Sequence, residues 1–402
     1  MAFFSGAVSC AFTADAEKTI QQNKKGMVFL MIYEYIKPGR LLEVYGAMQL
    51  RFFTTILFIL AVTAGRAQDK DKLDQWLDDH AREMGGRAML VVWKDGQVVY
   101  SQSVNEMTRR QKMANKFVAR RQKKEANLDD YTMTTRQPIA SCSKWLSAAL
   151  AMTFVDEGKL ALSDTVGKYL PVLSAHGKGN ITISQCLSHL TGINEPPLKE
   201  SLKDMRNVGS MDEAIRYIAD MPMEGQPGKV FHYSNAGLQI VGAVIEKIGG
   251  KSFEDLFAER IAQPLHLKNT DFGHGRVALP AGGASSTPED YINFLVMIFQ
   301  KGVFEGHRVL SERSIAEMQV DRIAQDVKVA YSPVPMENIG YGYGEWVVKP
   351  DGETVTSPGL FGSIPWVDNG KGYCAFLMTF YIKNDNREAR FKELKQLVDA
   401  SL

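Results

Sequence analysis

Ser141 and Lys144 lie three residues apart in PIASCSKWLSAAL (Pro138–Leu150), the types and spacing of a nucleophile beside a proton acceptor. The apolar residues that follow recur at helical spacing, so the two side chains share one helix face. Ser141 then stands in the first turn, where free N–H groups and the positive helix end favour a developing negative charge. A serine hydroxyl is a poor nucleophile until a neighbour takes its proton. A lysine does this only when burial or nearby positive charge keeps it partly neutral, and Trp145, Leu146 and Ala149 supply apolar surroundings. The spacing is common in a chain of this size. The alternative is a capping serine with a snorkelling lysine.

A second stretch bears on the choice. PGKVFHYSNAGLQIVGAVIEKIGG places Tyr233 and Asn235 after the Pro227-Gly228 turn and before a helix. A phenol beside a lysine can shuttle a proton, and an amide both donates and accepts. Taken alone, Tyr233 is equally a packed aromatic with a satisfied hydroxyl.

Together these segments resemble the serine β-lactamase and penicillin-recognising family, in its class C β-lactamase, D-alanyl-D-alanine peptidase and esterase branch. The likeness runs over nearly the whole chain beyond residue 68. PIASCSKWLSAALAMTFVDEGKLALSDTVGKYLP is similar to the family's nucleophile helix and following loop, and ITISQCLSHLTGI (Ile181–Ile193) to a signature of its helical lobe. YSNAGLQIVGAVIEKIGG and GGASSTPEDYINFLVMI follow in the family's order. The resemblance implies that Ser141 is acylated, that Lys144 and Tyr233 share the base and acid work, and that Asn235 positions substrate and Lys144. It implies oxyanion donors at the N–H groups of Ser141 and of Leu360, the residue after Gly359. The family's third motif has Lys or His, a small residue, then Gly. Here it is Ser357-Pro358-Gly359. A serine offers a neutral hydrogen bond where the family offers a cation, so the expected substrate is a neutral ester or amide rather than an anionic β-lactam. Backbone donors survive that change. His189, in SHLTGI, is expected to be structural, because Lys144 and Tyr233 already fill the base role.

Several elements must position these residues. Asp69–Met84 carries Leu73, Trp76, Leu77 and Ala81 at helical spacing. Two β-rich runs then flank Asp95-Gly96, a strong hairpin signal. The middle of the chain is mostly helical, and strand signals dominate from Tyr341. Arg387–Leu402 closes with a helix whose apolar face is Phe391, Leu394, Leu397 and Val398. The predicted fold class is α+β: an antiparallel sheet flanked by helices, plus a mostly helical lobe of β-lactamase/transpeptidase type. The sheet lobe takes residues 68–140 and about 300–402, and the helical lobe about 141–299.

Ahead of this domain, MQLRFFTTILFILAVTAGRAQDK from Met48 has the charge, short apolar run and small residues of a secretory leader. The expectation is a signal peptide over 48–67, a periplasmic or secreted protein, and an upstream extension without a structural role over 1–47. The alternative is that Met1 is the true start and the apolar run is a short anchor or a buried helix. Net charge is +1, which gives no reason to invoke nucleic acid or an anionic membrane. The basic stretch Arg109–Lys124 is expected to be a solvated insertion between a strand and the next helix, the alternative being a patch for an anionic partner. Cys10, Cys142, Cys186 and Cys374 show no metal-ligand spacing and are expected to be free thiols. Neither metal nor organic cofactor is expected. The leading expectation is a serine hydrolase acting through an acyl-enzyme on an ester, amide or β-lactam. The rivals are a D-Ala-D-Ala carboxypeptidase or penicillin-binding protein, and a non-catalytic binding protein on the same scaffold.

Overall fold

The computed structural model describes residues 70–402 apart from 122–124, 206, 274, 350–351 and 383–385. The expected extension over 1–47 and leader over 48–67 lie outside the described residues.

Asp95 and Gly96 both take positive φ, 50° and 85°, as a tight hairpin turn requires. They join β1 (Arg87–Lys94) to β2 (Gln97–Asn105). On its other edge β1 pairs with the last strand, β7 (Tyr373–Thr379), from Ala88 opposite Thr379 to Lys94 opposite Tyr373. Between them in sequence come β3 (Ile339–Tyr341), β4 (Trp346–Val348), β5 (Thr354–Thr356) and β6 (Ile364–Asp368). The seven-stranded antiparallel sheet has the order β2-β1-β7-β6-β5-β4-β3.

Both faces of this sheet are covered. Ala88, Leu90 and Val92 join a core with Leu73, Trp76 and Leu77 of helix α1 (residues 70–81) and with Leu394 and Val398 of the C-terminal helix. Met89, Val91 and Trp93 join the larger core of the helical segment. A strand buried on both faces needs no polar alternation, which is why β1 reads as the run AMLVVW.

The basic stretch, expected to be a solvated insertion, follows β2 and is largely exposed. It forms a helix, α2 (Arg109–Arg121). Next come the nucleophile helix α3 (Ser143–Asp156), the short α4 (Ile183–Leu187), α5 (Ala236–Gly249), α6 (Pro288–Phe299) and the terminal α7 (Arg387–Ser401). Every residue of α3 from Ser143 to Phe154 is buried, so it has no polar face to display. Cys142, Cys186 and Cys374 are buried free thiols.

Glu345 is the exception in this core. It is fully buried, and neither carboxyl oxygen has a hydrogen-bond partner. Burial pushes its pKa well above the ordinary range. The folded protein therefore keeps a proton that the unfolded chain releases above its ordinary pKa, and stability falls as pH rises through and beyond that value. Glu345→Gln is expected to flatten the fall in Tm between mildly acidic and neutral pH. Parallel Tm–pH curves for the two proteins would show that Glu345 is not the group responsible.

Candidate active site

Ser141 sits in a single 3-10 turn, Ala140–Cys142, immediately before α3 rather than in its first turn. Ala140 is held at φ 47°, a conformation an L-residue adopts at a cost. The turn is fixed from several sides. Ser143 Oγ donates to Ala140 O at 2.6 Å and accepts from Ala284 N at 3.0 Å. The Tyr291 hydroxyl donates to Cys142 O at 2.8 Å.

Lys144 is 1% exposed, and its Nζ lies 3.2 Å from Ser141 Oγ. Nζ also donates to Ala281 O at 2.7 Å and to Asn235 Oδ1 at 3.3 Å. Two acceptors take the two N–H bonds of a neutral amine and leave its lone pair for the Ser141 proton. Burial lowers the Lys144 pKa to about 7, against the opposing pull of Glu195. Half of the lysines are then neutral near neutral pH, the condition for a base.

Tyr233 follows a short strand, Val230–His232, that pairs with Lys328–Tyr331. Its ring stacks on Trp346 with centroids 5.2 Å apart and planes 20° apart, and the Lys144 ammonium lies 4.8 Å from its centroid. Burial raises its pKa, partly offset by a hydrogen bond with Ser141. Lys144 and Tyr233 thus meet at Ser141 with affinities pushed apart, one toward the free base and one toward the held proton. Cys142 is no rival nucleophile, because burial pushes its thiol well up.

Asn235 is aimed by a residue the sequence reading missed. Glu195 Oε2 accepts from the N–H groups of Asn235 at 2.6 Å and Ala236 at 2.9 Å. Its Oε1 accepts from Asn235 Nδ2 at 3.4 Å and from Ser201 Oγ at 2.7 Å. Asn235 makes no side-chain cap for α5, so a carboxylate 40 residues upstream does so. The same contacts turn the amide so that Oδ1 faces Lys144. The sole sequence signal was an acidic residue beside Pro196-Pro197, just after SHLTGI. Glu195→Gln removes a charge that holds the Lys144 pKa up. The acid limb of kcat/KM is therefore expected to move to lower pH, with kcat down about tenfold from looser positioning. An unmoved acid limb would remove Glu195 from the electrostatics of the site.

Ala281 O also escaped notice, because a backbone carbonyl has no side-chain signature. His189 is where a structural residue belongs. Its Nδ1 accepts from Ser234 N at 3.3 Å, and its Nε2 meets the Tyr341 hydroxyl at 3.1 Å. Burial, then the Lys144 and His232 charges, hold it well below its usual pKa.

The segment after β5 lies against the nucleophile turn. A Cβ on Gly359 would stand 2.3 Å from Ile139 O, so only glycine permits this approach. Ser357 is 2% exposed, and its hydroxyl faces Gly344 O at 3.0 Å and Ser141 O at 3.3 Å, tying the end of β5 to the nucleophile turn. Arg387, at the start of α7, donates to the carbonyls of Gly359 at 3.0 Å and Leu360 at 3.1 Å. The Gly359 carbonyl shares its peptide with the Leu360 N–H, so the guanidinium polarises that donor.

A sheet with helices on both faces, and a serine and lysine at the mouth of a buried helix, define the fold of β-lactamase and penicillin-binding-protein serine hydrolases. The chain belongs to the Beta-lactamase family, whose model matches residues 73–397. An uncharacterized protein of Mycobacterium tuberculosis is 26% identical over 285 residues, 57% of this chain and 71% of its own length. A solved structure from Bacteroides dorei DSM 17855 superposes with a TM-score of 0.66 at 25% identity, over 81% of this chain and 97% of that one. The octameric penicillin-binding protein homologue from Pyrococcus abyssi gives a TM-score of 0.65 at 22% identity, over 82% of this chain and 78% of that one.

Proposed function

We propose that the protein is a serine acyl hydrolase for neutral esters or amides. The observation that carries this reading is Lys144 Nζ, buried, 3.2 Å from Ser141 Oγ and held by Ala281 O and Asn235. In the first step Ser141 gives its proton to neutral Lys144 while Oγ bonds to the substrate carbonyl carbon. The carbonyl electron pair moves to oxygen, where the N–H groups of Ser141 and Leu360 receive it. Collapse of that intermediate breaks the bond to the leaving group, which takes the Tyr233 proton. Lys144 returns its proton to Tyr233, and water then releases the acyl group by the reverse sequence.

The neutral-substrate preference rests on Ser357. It carries no charge, and its single proton is directed at backbone carbonyls, so the position offers an anionic substrate nothing. A carboxypeptidase or an efficient β-lactamase would need a cation supplied from elsewhere. A non-catalytic scaffold is disfavoured by the buried lysine, because burying an amine is costly without a use for it.

Fluorophosphonate labelling followed by peptide mass spectrometry tests this reading. The adduct is expected on Ser141, with turnover of a short-chain nitrophenyl ester and slow or no turnover of penicillin. No adduct and no ester turnover would overturn it, and rapid penicillin turnover would overturn the substrate preference. The same spectra read the N-terminus of the exported protein. A start near Gln68 fits the leader at Met48–Ala67.

A further inference from the structure

Helix α2 presents a surface that acyl transfer does not use. Two of its amides, Gln111 and Asn115, turn inward. Gln111 Nε2 donates to Arg82 O at 2.9 Å, and Asn115 Nδ2 contacts Met107 Sδ at 3.8 Å. Its outward side carries Arg109, Arg110, Lys112, Lys116, Arg120 and Arg121, all exposed, and the helix contains no Asp or Glu. Met113 and Phe117, 71% and 58% exposed, stand among these cations one turn apart. The Arg121 guanidinium lies 4.9 Å from the Phe117 ring centroid. Two large apolar side chains left in water on a helix that turns its amides inward invert the usual arrangement.

We propose that α2 is a docking face for an anionic phospholipid bilayer. The cations meet headgroup phosphates, while Met113 and Phe117 enter the boundary between headgroups and acyl chains. The complementarity is local. A charged surface senses charges within a Debye length, about 8 Å at physiological salt, not the sum over the chain. A net charge of +1 therefore hides this face. Nucleic acid fits it less well, because a phosphate backbone would leave Met113 and Phe117, the large apolar side chains among the cations, in water. The helix has 13 residues, and no described helix is long and apolar enough to cross a membrane, so the contact is with the surface.

The test uses residues 68–402. This span keeps both cores and omits the apolar run Phe52–Val62, which would itself bind lipid. Co-sedimentation with phosphatidylcholine vesicles, with and without phosphatidylglycerol, measures partitioning. Binding is expected only with phosphatidylglycerol and is expected to disappear at high salt. Arg120→Glu with Arg121→Glu, and separately Met113→Ser with Phe117→Ser, should each lower it about tenfold or more. Ester turnover should stay unchanged in both, which separates this outcome from misfolding. Equal partitioning to both vesicle types, or variants that partition like the parent, would overturn the proposal. So would duplex DNA binding that the Met113 and Phe117 changes leave intact while vesicle binding is absent.

Discussion

Lys144→Ala is expected to cut acylation by about 10²–10⁴-fold, the range for removing a positioned general base. The expectation rests on geometry before electrostatics. Lys144 Nζ is within reach of Ser141 Oγ, and two carbonyl acceptors, Ala281 O and Asn235 Oδ1, spend its N–H bonds elsewhere. With the Lys144 pKa near 7, the parent enzyme's kcat/KM should rise with pH up to neutrality and level off above it. Lys144→Ala should lose that acid limb along with the rate. Lys144→Arg should not restore it, because a guanidinium stays charged at every accessible pH. Ser141→Ala alone should abolish the acyl-enzyme, and adding Lys144→Ala to it should cost nothing further, as expected of two groups that act as a unit. Pre-steady-state acylation of the single variants, followed by intact mass, measures this. A Lys144→Ala protein that acylates at near the parent rate would remove the lysine from the mechanism.

Gly359→Ala is expected to cost about 10²–10³-fold in kcat with little change in fold, the size seen when an oxyanion donor is lost. The added methyl would meet Ile139 O at 2.3 Å, and neither backbone can yield without moving Leu360 off the nucleophile turn. Arg387→Met should act on the same donor more gently, because the N–H stays in place and loses only the polarisation of its peptide. A drop of roughly tenfold in kcat with KM nearly unchanged is expected for it, as an interaction felt mainly in the transition state requires. If Gly359→Ala turns over ester like the parent, Leu360 is not an oxyanion donor.

The residues proposed to react were legible in the sequence because each belongs to a short motif with local geometry. Ser141 and Lys144 share a helix face, and Tyr233 and Asn235 share one loop, so spacing alone brings each pair close. The sheet was legible for a similar reason, since Asp95-Gly96 and the runs on either side specify a hairpin. What stayed hidden has no local signature. Glu195 acts across 40 residues of chain, Ala281 through a carbonyl, and Arg387 through a peptide in the loop between β5 and β6. Ser357 was visible as a departure from the family pattern, but the direction of its proton was not. The charge and aromatic content of the basic stretch do not reveal its helical phase. Only the phase shows that Gln111 and Asn115 turn inward while Met113 and Phe117 turn out.

The pairing of β1 with β7 bears on how such a site comes into being. Ala88 and Thr379 stand opposite each other in the sheet yet lie almost at opposite ends of the domain. Contacts so distant in sequence are slow to form, because a long loop must close before they return any stability. During synthesis the nucleophile helix and Lys144 emerge well before β5, Gly359 and the strand that completes the sheet. Until β7 docks, β1 is an unpaired apolar edge open to wrong partners. The oxyanion segment has nothing to lean on in that interval. On the proposed mechanism a nascent chain carries its serine and lysine without catalytic power, and activity is expected late and at once, after the last strand docks.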